Sequence, residues 1–368
     1  MKRVLILANF DVGLYKFRKE LIGELLARGC EVFLSLPDGE FIQPLVAMGC
    51  KFLNTPVDRR GINPGTDLKL FRRYQKLLRQ VRPDLVITYT IKPNIYGGIA
   101  CRLAKVPYAV NITGLGTAFQ TEGLFKRLIV RLYKTACKRA KVVFFENEEN
   151  QRVFVEHRIV PQEQTCKLNG AGVNLEEYPL CEYPPEDGEL RFLFVGRVMK
   201  EKGVDELFEA ARRIRREHPS VSFDVVGPFE DDYKEKIDRL VSEGVIRYHG
   251  FQSDVRPFYQ RCHCFVLPSY HEGMANTLLE AGATGRPLIT SDIPGCREAV
   301  VNGNSGILVP PRKEAELYRL LKGFIQLSYK EKQDMAQASY HHVSASFHKQ
   351  AVIAQTLRRL QQSGGIAE

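Results

Sequence analysis

Two glutamates, Glu272 and Glu280, stand with seven residues between them in "SYHEGMANTLLEAGATGRPLITSD" (269–292), a stretch otherwise small and apolar. The run "NTLLEAGATG" has a helical pattern, and Asn276 or Thr277 is expected to cap it. The backbone amides of Gly273, Met274, Ala275, Asn276 and Thr277 would then be free donors at the positive end of a helix dipole, a setting that suits phosphate. A carboxylate beside an anion site is costly unless it has other work. Carboxylates accept hydrogen bonds from sugar hydroxyls, and a nucleotide sugar offers hydroxyls on both sides of its diphosphate. Glu272 could hold the hexose and Glu280 the ribose while the amides hold the phosphates. The plain alternative makes Glu272 a helix-start charge and Glu280 a surface residue. A second stretch, "FVGRVMKEKGVDELFEAA" (194–211), reads as a strand ending at Gly196 and a helix following Gly203. Arg197 and Lys202 flank that turn, where two cations can neutralise a diphosphate and stabilise it as a leaving group. Lysines on a strand-to-helix turn are common; the pairing with the Glu272 segment gives this one its weight.

These residues need strands to end beside them. Short β-branched runs alternate with amphipathic helical patterns along the whole chain, as in βαβ units with parallel sheets. The first series is "VLILA" (4–8), "EVFLSL" (31–36), "DLVITYT" (84–90), "PYAVNIT" (107–113) and "KVVFF" (141–145). A fresh series follows with "LRFLFVG" (190–196), "VSFDVVG" (221–227), "VIRYHG" (245–250), "CFVLPS" (264–269) and "PLITSD" (287–292). Between them, "NGAGVNLEEYPLCEYPPEDGEL" (169–190) is rich in Gly, Pro and acids and reads as a linker. The expected organisation is one domain over 1–170, a linker over 171–189, a second domain over 190–328, and a helical segment over 329–368 that crosses back to the first domain. Such an α/β chain of two doubly wound, Rossmann-like domains places ligands outside the carboxyl ends of its strands, with two such edges facing one cleft.

Composition narrows the function classes. With 368 residues, 44% hydrophobic and 26% charged, the chain can build two cores. The start "MKRVLILANFD" meets Asp11 before a signal peptide's apolar region is complete, and no stretch reaches the roughly 20 apolar residues of a membrane helix. A cytoplasmic protein, peripheral to a membrane at most, is expected. Nine cysteines, an odd number, suit reduced and mostly buried thiols. Cys262-His263-Cys264 has the wrong spacing for zinc, no Asp-x-Asp pair is present, and Asp231 with Asp232 reads as a solvated helix start; no metal and no cofactor are expected. The net charge of +10 is uneven: residues 1–170 hold 28 lysines and arginines against 15 acids. The basic half should meet something anionic. Its densest segments are "KLFRRYQKLLRQVR" (69–82) and "LFKRLIVRLYKTACKRAK" (124–141), both with apolar residues at helical spacing. A solvated face, anionic lipid headgroups and nucleic acid compete as readings; no nucleic-acid motif accompanies the charge, and the second segment suits a membrane surface. In "NFDVGLYKFRKEL" (9–21), Gly13 reads as a loop glycine that lets backbone approach a ligand, with Lys16 following it. The glycine triplet of a dinucleotide site is missing, which counts against an NAD enzyme.

Taken together, Glu272, Glu280 and the arginine and lysine of "GRVMKEKG" resemble the retaining, GT-B-fold glycosyltransferases of the large family that includes capsule, O-antigen and glycolipid enzymes. The resemblance covers nearly the whole chain and extends to "PGCREAVVNGNSGILVPP" (294–311), with Glu298 and Gly306 in place. It implies that Arg197 and Lys202 bind the donor diphosphate, that Glu280 binds the ribose, and that Glu272 with the Gly273 to Asn276 segment binds the donor sugar. The loops "VDRRGINPGTDL" (57–68) and "TYTIKPNIYGG" (88–98), with "NITGLGTAF" (111–119), resemble the branch that extends polyprenyl-diphosphate-linked sugars, including N-acetylgalactosaminyltransferases. Arg59, Arg60, Lys92, Asn94, Tyr96 and Lys16 would then face a lipid-diphosphate-linked saccharide, and the 124–141 helix would rest on an anionic membrane. A histidine that many relatives carry in the loop occupied by Asn111 to Gly116 is missing. The expected activity is transfer of a hexosyl or N-acetylhexosaminyl group from a UDP-sugar with retained configuration and without metal. Two rivals are a UDP-sugar epimerase of the same architecture, which would act without an acceptor, and a non-catalytic nucleotide-sugar-binding protein, which would bind without turnover.

Overall fold

A computed structural model describes residues 1–58, 61, 63–116, 119 and 123–364. The chain divides into two units, Met1–Ala171 with Gln350–Glu368, and Gly172–Lys349. Among the described residues of the first unit, seven strands form one parallel sheet: β1 Arg3–Leu7, β2 Glu31–Leu36, β3 Lys51–Asn54, β4 Leu85–Tyr89, β5 Tyr108–Ile112, β6 Val142–Phe145 and β7 Thr165–Lys167, in the order β3-β2-β1-β4-β5-β6-β7. Side chains on β1 alternate between two cores, as a period of two requires. Val4 and Ile6 pack in one layer with Leu21, Ile22 and Leu25, whereas Leu5 and Leu7 pack in the other with Leu70, Tyr74 and Leu77. Burial on both faces is why these strands read as nearly continuous apolar runs. The helix Lys349–Gln362 returns to the first unit, where Val352, Ile353, Leu357 and Leu360 complete the layer under Val4 and Ile6. The preceding helix, Tyr329–Ser346, belongs to the second unit.

In the second unit six strands make a parallel sheet: β8 Leu190–Val195, β9 Val221–Val226, β10 Arg247–Tyr248, β11 Cys264–Leu267, β12 Leu288–Ser291 and β13 Gly306–Val309, in the order β10-β9-β8-β11-β12-β13. In each sheet the first strand is central and the order reverses beside it, between β1 and β4 and between β8 and β11. Diverging helix connections leave a crevice at the carboxyl ends of such a strand pair. Of the segment 171–189, read from composition as a linker, all but Ala171 belongs to the second unit and packs on it: the Tyr183 hydroxyl donates to the His263 carbonyl at 2.9 Å, and the buried Arg286 guanidinium donates to the Glu182 carbonyl at 2.8 Å.

Candidate active site

The carboxyl ends of β8 and β11 carry the residues singled out above. After β8 the chain turns through Gly196 and Arg197 into a short 3-10 segment, Lys200–Lys202, and after β11 it runs through Pro268 and Ser269 to Glu272. Gly203 lets these two segments meet. Its φ is +67°, and a Cβ there would stand 2.0 Å from the Pro268 carbonyl oxygen. With that approach made, Lys202 Nζ donates to Glu272 Oε1 at 2.5 Å, and Ser269 Oγ donates to the same oxygen at 2.7 Å. Both side chains of the ion pair are mostly buried. The Tyr270 amide donates to the Glu201 carbonyl at 2.8 Å, and its hydroxyl reaches both Glu206 oxygens at 2.6 and 2.7 Å, so the two segments are stitched at several points.

The loop from Glu272 to Ala275 has its own support. Gly295, at φ +84°, lies so close that a Cβ would meet the Gly273 carbonyl oxygen at 2.6 Å and that of Glu272 at 2.9 Å. Its carbonyl accepts from the Ala275 amide and its amide donates to Glu298 Oε2, both at 2.8 Å. The helix Asn276–Ala283 starts one residue earlier than a side-chain cap would allow: Ala275 occupies the cap position, Asn276 is the first helical residue, and neither it nor Thr277 caps the helix. Of the expected amide donors, that of Ala275 is therefore already spent on the Gly295 carbonyl, while those of Met274, Asn276 and Thr277 stand at a helix start with no side-chain cap; Met274 and Ala275 are themselves buried. Glu280 lies one turn inside, 8% exposed, and Tyr259 donates to its Oε2 at 2.8 Å. It is no surface residue.

Arg197 is more open and pairs with Glu230 at 3.3 Å. The Lys200 amide donates to Asp231 Oδ2 at 3.0 Å, and the following helix starts only at Lys234. Asp231 is thus not a helix-start charge; with Glu230 it shapes the cationic turn from the neighbouring β9 end. A second close approach fixes that neighbour, since a Cβ on Gly227 would lie 1.9 Å from the Gly196 carbonyl oxygen. Sequence reading missed Ser269, Tyr259, Glu230 and Gly295. A glycine directly after Pro294 was the one visible signal among them.

In the first unit the corresponding crevice lies between the β1 and β4 ends. Gly13 is not in a loop: the helix Asp11–Ala27 starts before it, because the buried Asp11 carboxylate accepts from the Phe41 amide at 2.9 Å and anchors the first turn. Lys16 lies on the same helix. Thr90, the residue after β4, has φ +71°, a conformation that costs a β-branched residue about 1–3 kcal/mol and persists only where its surroundings impose it. Lys92 Nζ and Tyr96 Oη both donate to Asp67, at 2.7 and 2.8 Å, and burial together with that carboxylate raises the Tyr96 hydroxyl well above the ordinary phenol range, so it remains a donor. Asn94 must be withdrawn from the ligand-facing set. It is 1% exposed, its Oδ1 accepts from Thr88 at 2.7 Å and its Nδ2 donates to the Asn111 carbonyl at 2.8 Å, so it ties β4 to β5. Arg59 and Arg60 lie outside the described residues. The Cys262-His263-Cys264 stretch is internal: the His263 Nδ1 accepts from the Arg191 amide at 3.1 Å, and Cys262 and Cys264 are buried.

Comparison with known proteins places this geometry. Residues 182–342 match the family model for glycosyl transferases group 1, and residues 3–147 match that for glycosyl transferase 4-like proteins. The chain is 30% identical over 332 residues, 86% of its length and 87% of the relative's, to the N,N'-diacetylbacillosaminyl-diphospho-undecaprenol alpha-1,3-N-acetylgalactosaminyltransferase of Campylobacter jejuni. It is 31% identical, over 68% of each chain, to an Escherichia coli UDP-Gal:alpha-D-GlcNAc-diphosphoundecaprenol alpha-1,3-galactosyltransferase. Among solved structures, HepE from Anabaena in complex with UDP and glucose superposes with a TM-score of 0.82 at 19% identity, covering 98% of this chain and all of that one.

Proposed function

The chain belongs to the group 1 glycosyltransferases of GT-B fold, and from that premise we propose that it moves a hexosyl or N-acetylhexosaminyl group, N-acetylgalactosamine before others, from a UDP-sugar to a polyprenyl-diphosphate-linked saccharide. The observation that carries this reading is the Lys202–Glu272 contact at the β8/β11 crevice, beside the amide-bearing loop 273–276. An ammonium has three donors, so Lys202 can keep Glu272 while meeting a phosphate oxygen. Glu272, held by Lys202 and Ser269, is oriented to accept from sugar hydroxyls. The relatives of similar length that act on diphospho-undecaprenol-linked sugars support the acceptor class.

Transfer proceeds with retention. The acceptor hydroxyl attacks the anomeric carbon on the face from which UDP departs, the bond to the diphosphate oxygen breaks, and that oxygen takes the acceptor's proton. Negative charge grows on the diphosphate as it leaves, and Arg197 and Lys202 meet it there. Two protein cations fill the role that a divalent ion fills elsewhere, so no metal is required. UDP release measured over a panel of UDP-hexoses and UDP-N-acetylhexosamines in EDTA, with and without a polyprenyl-diphosphate saccharide, tests this. Release from one donor only when acceptor is present is expected; loss of all activity in EDTA would overturn the metal-independent mechanism, and conversion of the donor without acceptor would favour an epimerase.

A lipid-linked acceptor implies work at the inner face of the cytoplasmic membrane. No helix among the described residues is long and apolar enough to cross a membrane. The helix Leu124–Cys137 instead exposes Leu124 at 82% and Leu128 at 52%, with Phe125 beside them and Arg127, Arg131 and Lys134 on the same outer surface. Apolar side chains flanked by cations suit an anionic bilayer surface. Sedimentation with vesicles containing phosphatidylglycerol should show binding that salt weakens, and Leu124→Asp with Leu128→Asp should reduce it about tenfold or more. Unchanged binding by the double variant would rule this helix out as the anchor.

A further inference from the structure

Resting on the assignment of Glu280 to the donor ribose, we propose that Tyr259 is a positioning residue that fixes the Glu280 carboxylate for the ribose hydroxyls and so sets how strongly the ribose counts in donor binding. Tyr259 is fully buried, on the helix Arg256–Arg261, and its hydroxyl donates to Glu280 Oε2 at 2.8 Å. A phenol hydroxyl in an apolar core is costly without a partner, and so is a carboxylate; here each satisfies part of the other's need. Burial and the nearby carboxylate push the Tyr259 hydroxyl well above the ordinary phenol range, so it stays a donor at every physiological pH.

The ring that presents this hydroxyl is itself immobilised. Tyr178 packs edge-on against it with centroids 6.1 Å apart, and Phe265 of β11 lies on another side at 5.7 Å. The Tyr259 carbonyl accepts from Arg286 Nε at 2.8 Å, and Arg286 is wholly buried. A glutamate side chain has three rotatable bonds, and holding one of its oxygens in place before the donor arrives lowers the ordering cost of binding. A vicinal diol would meet the carboxylate held in this way.

The test compares UDP with 2′-deoxy-UDP and 3′-deoxy-UDP as inhibitors of the wild type, Tyr259→Phe and Glu280→Gln, alongside donor kinetics. The wild type should prefer UDP, Glu280→Gln should lose that preference, and Tyr259→Phe should reduce it by about three- to tenfold with KM raised and kcat nearly unchanged. A ratio of two inhibition constants does not depend on the folded fraction, so a modest loss of stability leaves the readout intact. Full preference retained in Tyr259→Phe while Glu280→Gln loses it would overturn the positioning role and leave Tyr259 as core packing alone. Absence of any preference in the wild type would instead remove the ribose assignment of Glu280, and this proposal with it.

Discussion

Lys202→Ala should lower kcat by about 10²- to 10³-fold while raising the donor KM only a few-fold. The asymmetry follows from where charge develops. On the proposed mechanism the ground-state diphosphate is already an anion shared among amides and two cations, whereas in the transition state more negative charge collects on the departing oxygen, and contacts to it strengthen. Lys202 is the better placed of the two cations. It is mostly buried, and its ammonium is held 2.5 Å from Glu272, whereas the half-exposed Arg197 sits 3.3 Å from Glu230. Arg197→Ala should therefore cost less, about tenfold to a hundredfold in kcat, since a wetter contact is worth less. Removing Lys202 also frees Glu272, and Glu272→Gln separates the two effects because it keeps the shape and the Ser269 contact. Steady-state kinetics that showed a raised KM with kcat unchanged in Lys202→Ala would assign that lysine to binding that is equal in the ground and transition states, with no added contact as the diphosphate departs.

Gly203→Ala should be as damaging without touching a single charged group. The backbone there has φ +67°, and the added methyl would fall 2.0 Å from the Pro268 carbonyl oxygen, a rigid backbone atom at the end of β11. Nothing flexible can yield, so the Lys200–Lys202 turn must move off the strand end. The expected cost is about 3 kcal/mol or more in denaturant unfolding, from the left-handed backbone and the clash together. Activity should fall as far as in Lys202→Ala, because the displaced turn carries Lys202 away from Glu272. Wild-type unfolding and wild-type kcat in Gly203→Ala would show that this close approach is not required. A glycine was visible in "KEKG", but its purpose depended on Pro268, which lies far along the chain and meets it only through the pairing of β8 with β11.

That pattern explains what could be read in advance. Central strands such as β1, β4, β8 and β11 are buried on both faces, and their apolar runs announced them. β3 and β7 went unread because they are short edge strands; "KFLN" and "TCK" have too few apolar residues to stand out from loops. The segments around Glu272 and Lys202 stood out because two acids, two cations and a helix start fall within short stretches. Side chains whose meaning comes from across the sheet were not. Asn94 looked like any polar residue beyond a strand end, yet β5 brings the Asn111 carbonyl to it and uses up its amide. Gly13 looked like a loop glycine until Phe41, on a distant segment, anchored Asp11 and started the helix earlier. Tyr259 gave no signal at all, being one aromatic residue among several in "VRPFYQRC".

The most direct test is to incubate the full chain with UDP-N-acetylgalactosamine and a polyprenyl-diphosphate saccharide in EDTA, then recover the lipid and examine it by mass spectrometry and proton NMR. A lipid-linked saccharide longer by one N-acetylhexosamine, joined through an α linkage, is the expected product. An acceptor returned unchanged under conditions where the donor is consumed, or a β-linked product, would contradict the proposed retaining transfer to a lipid-diphosphate saccharide.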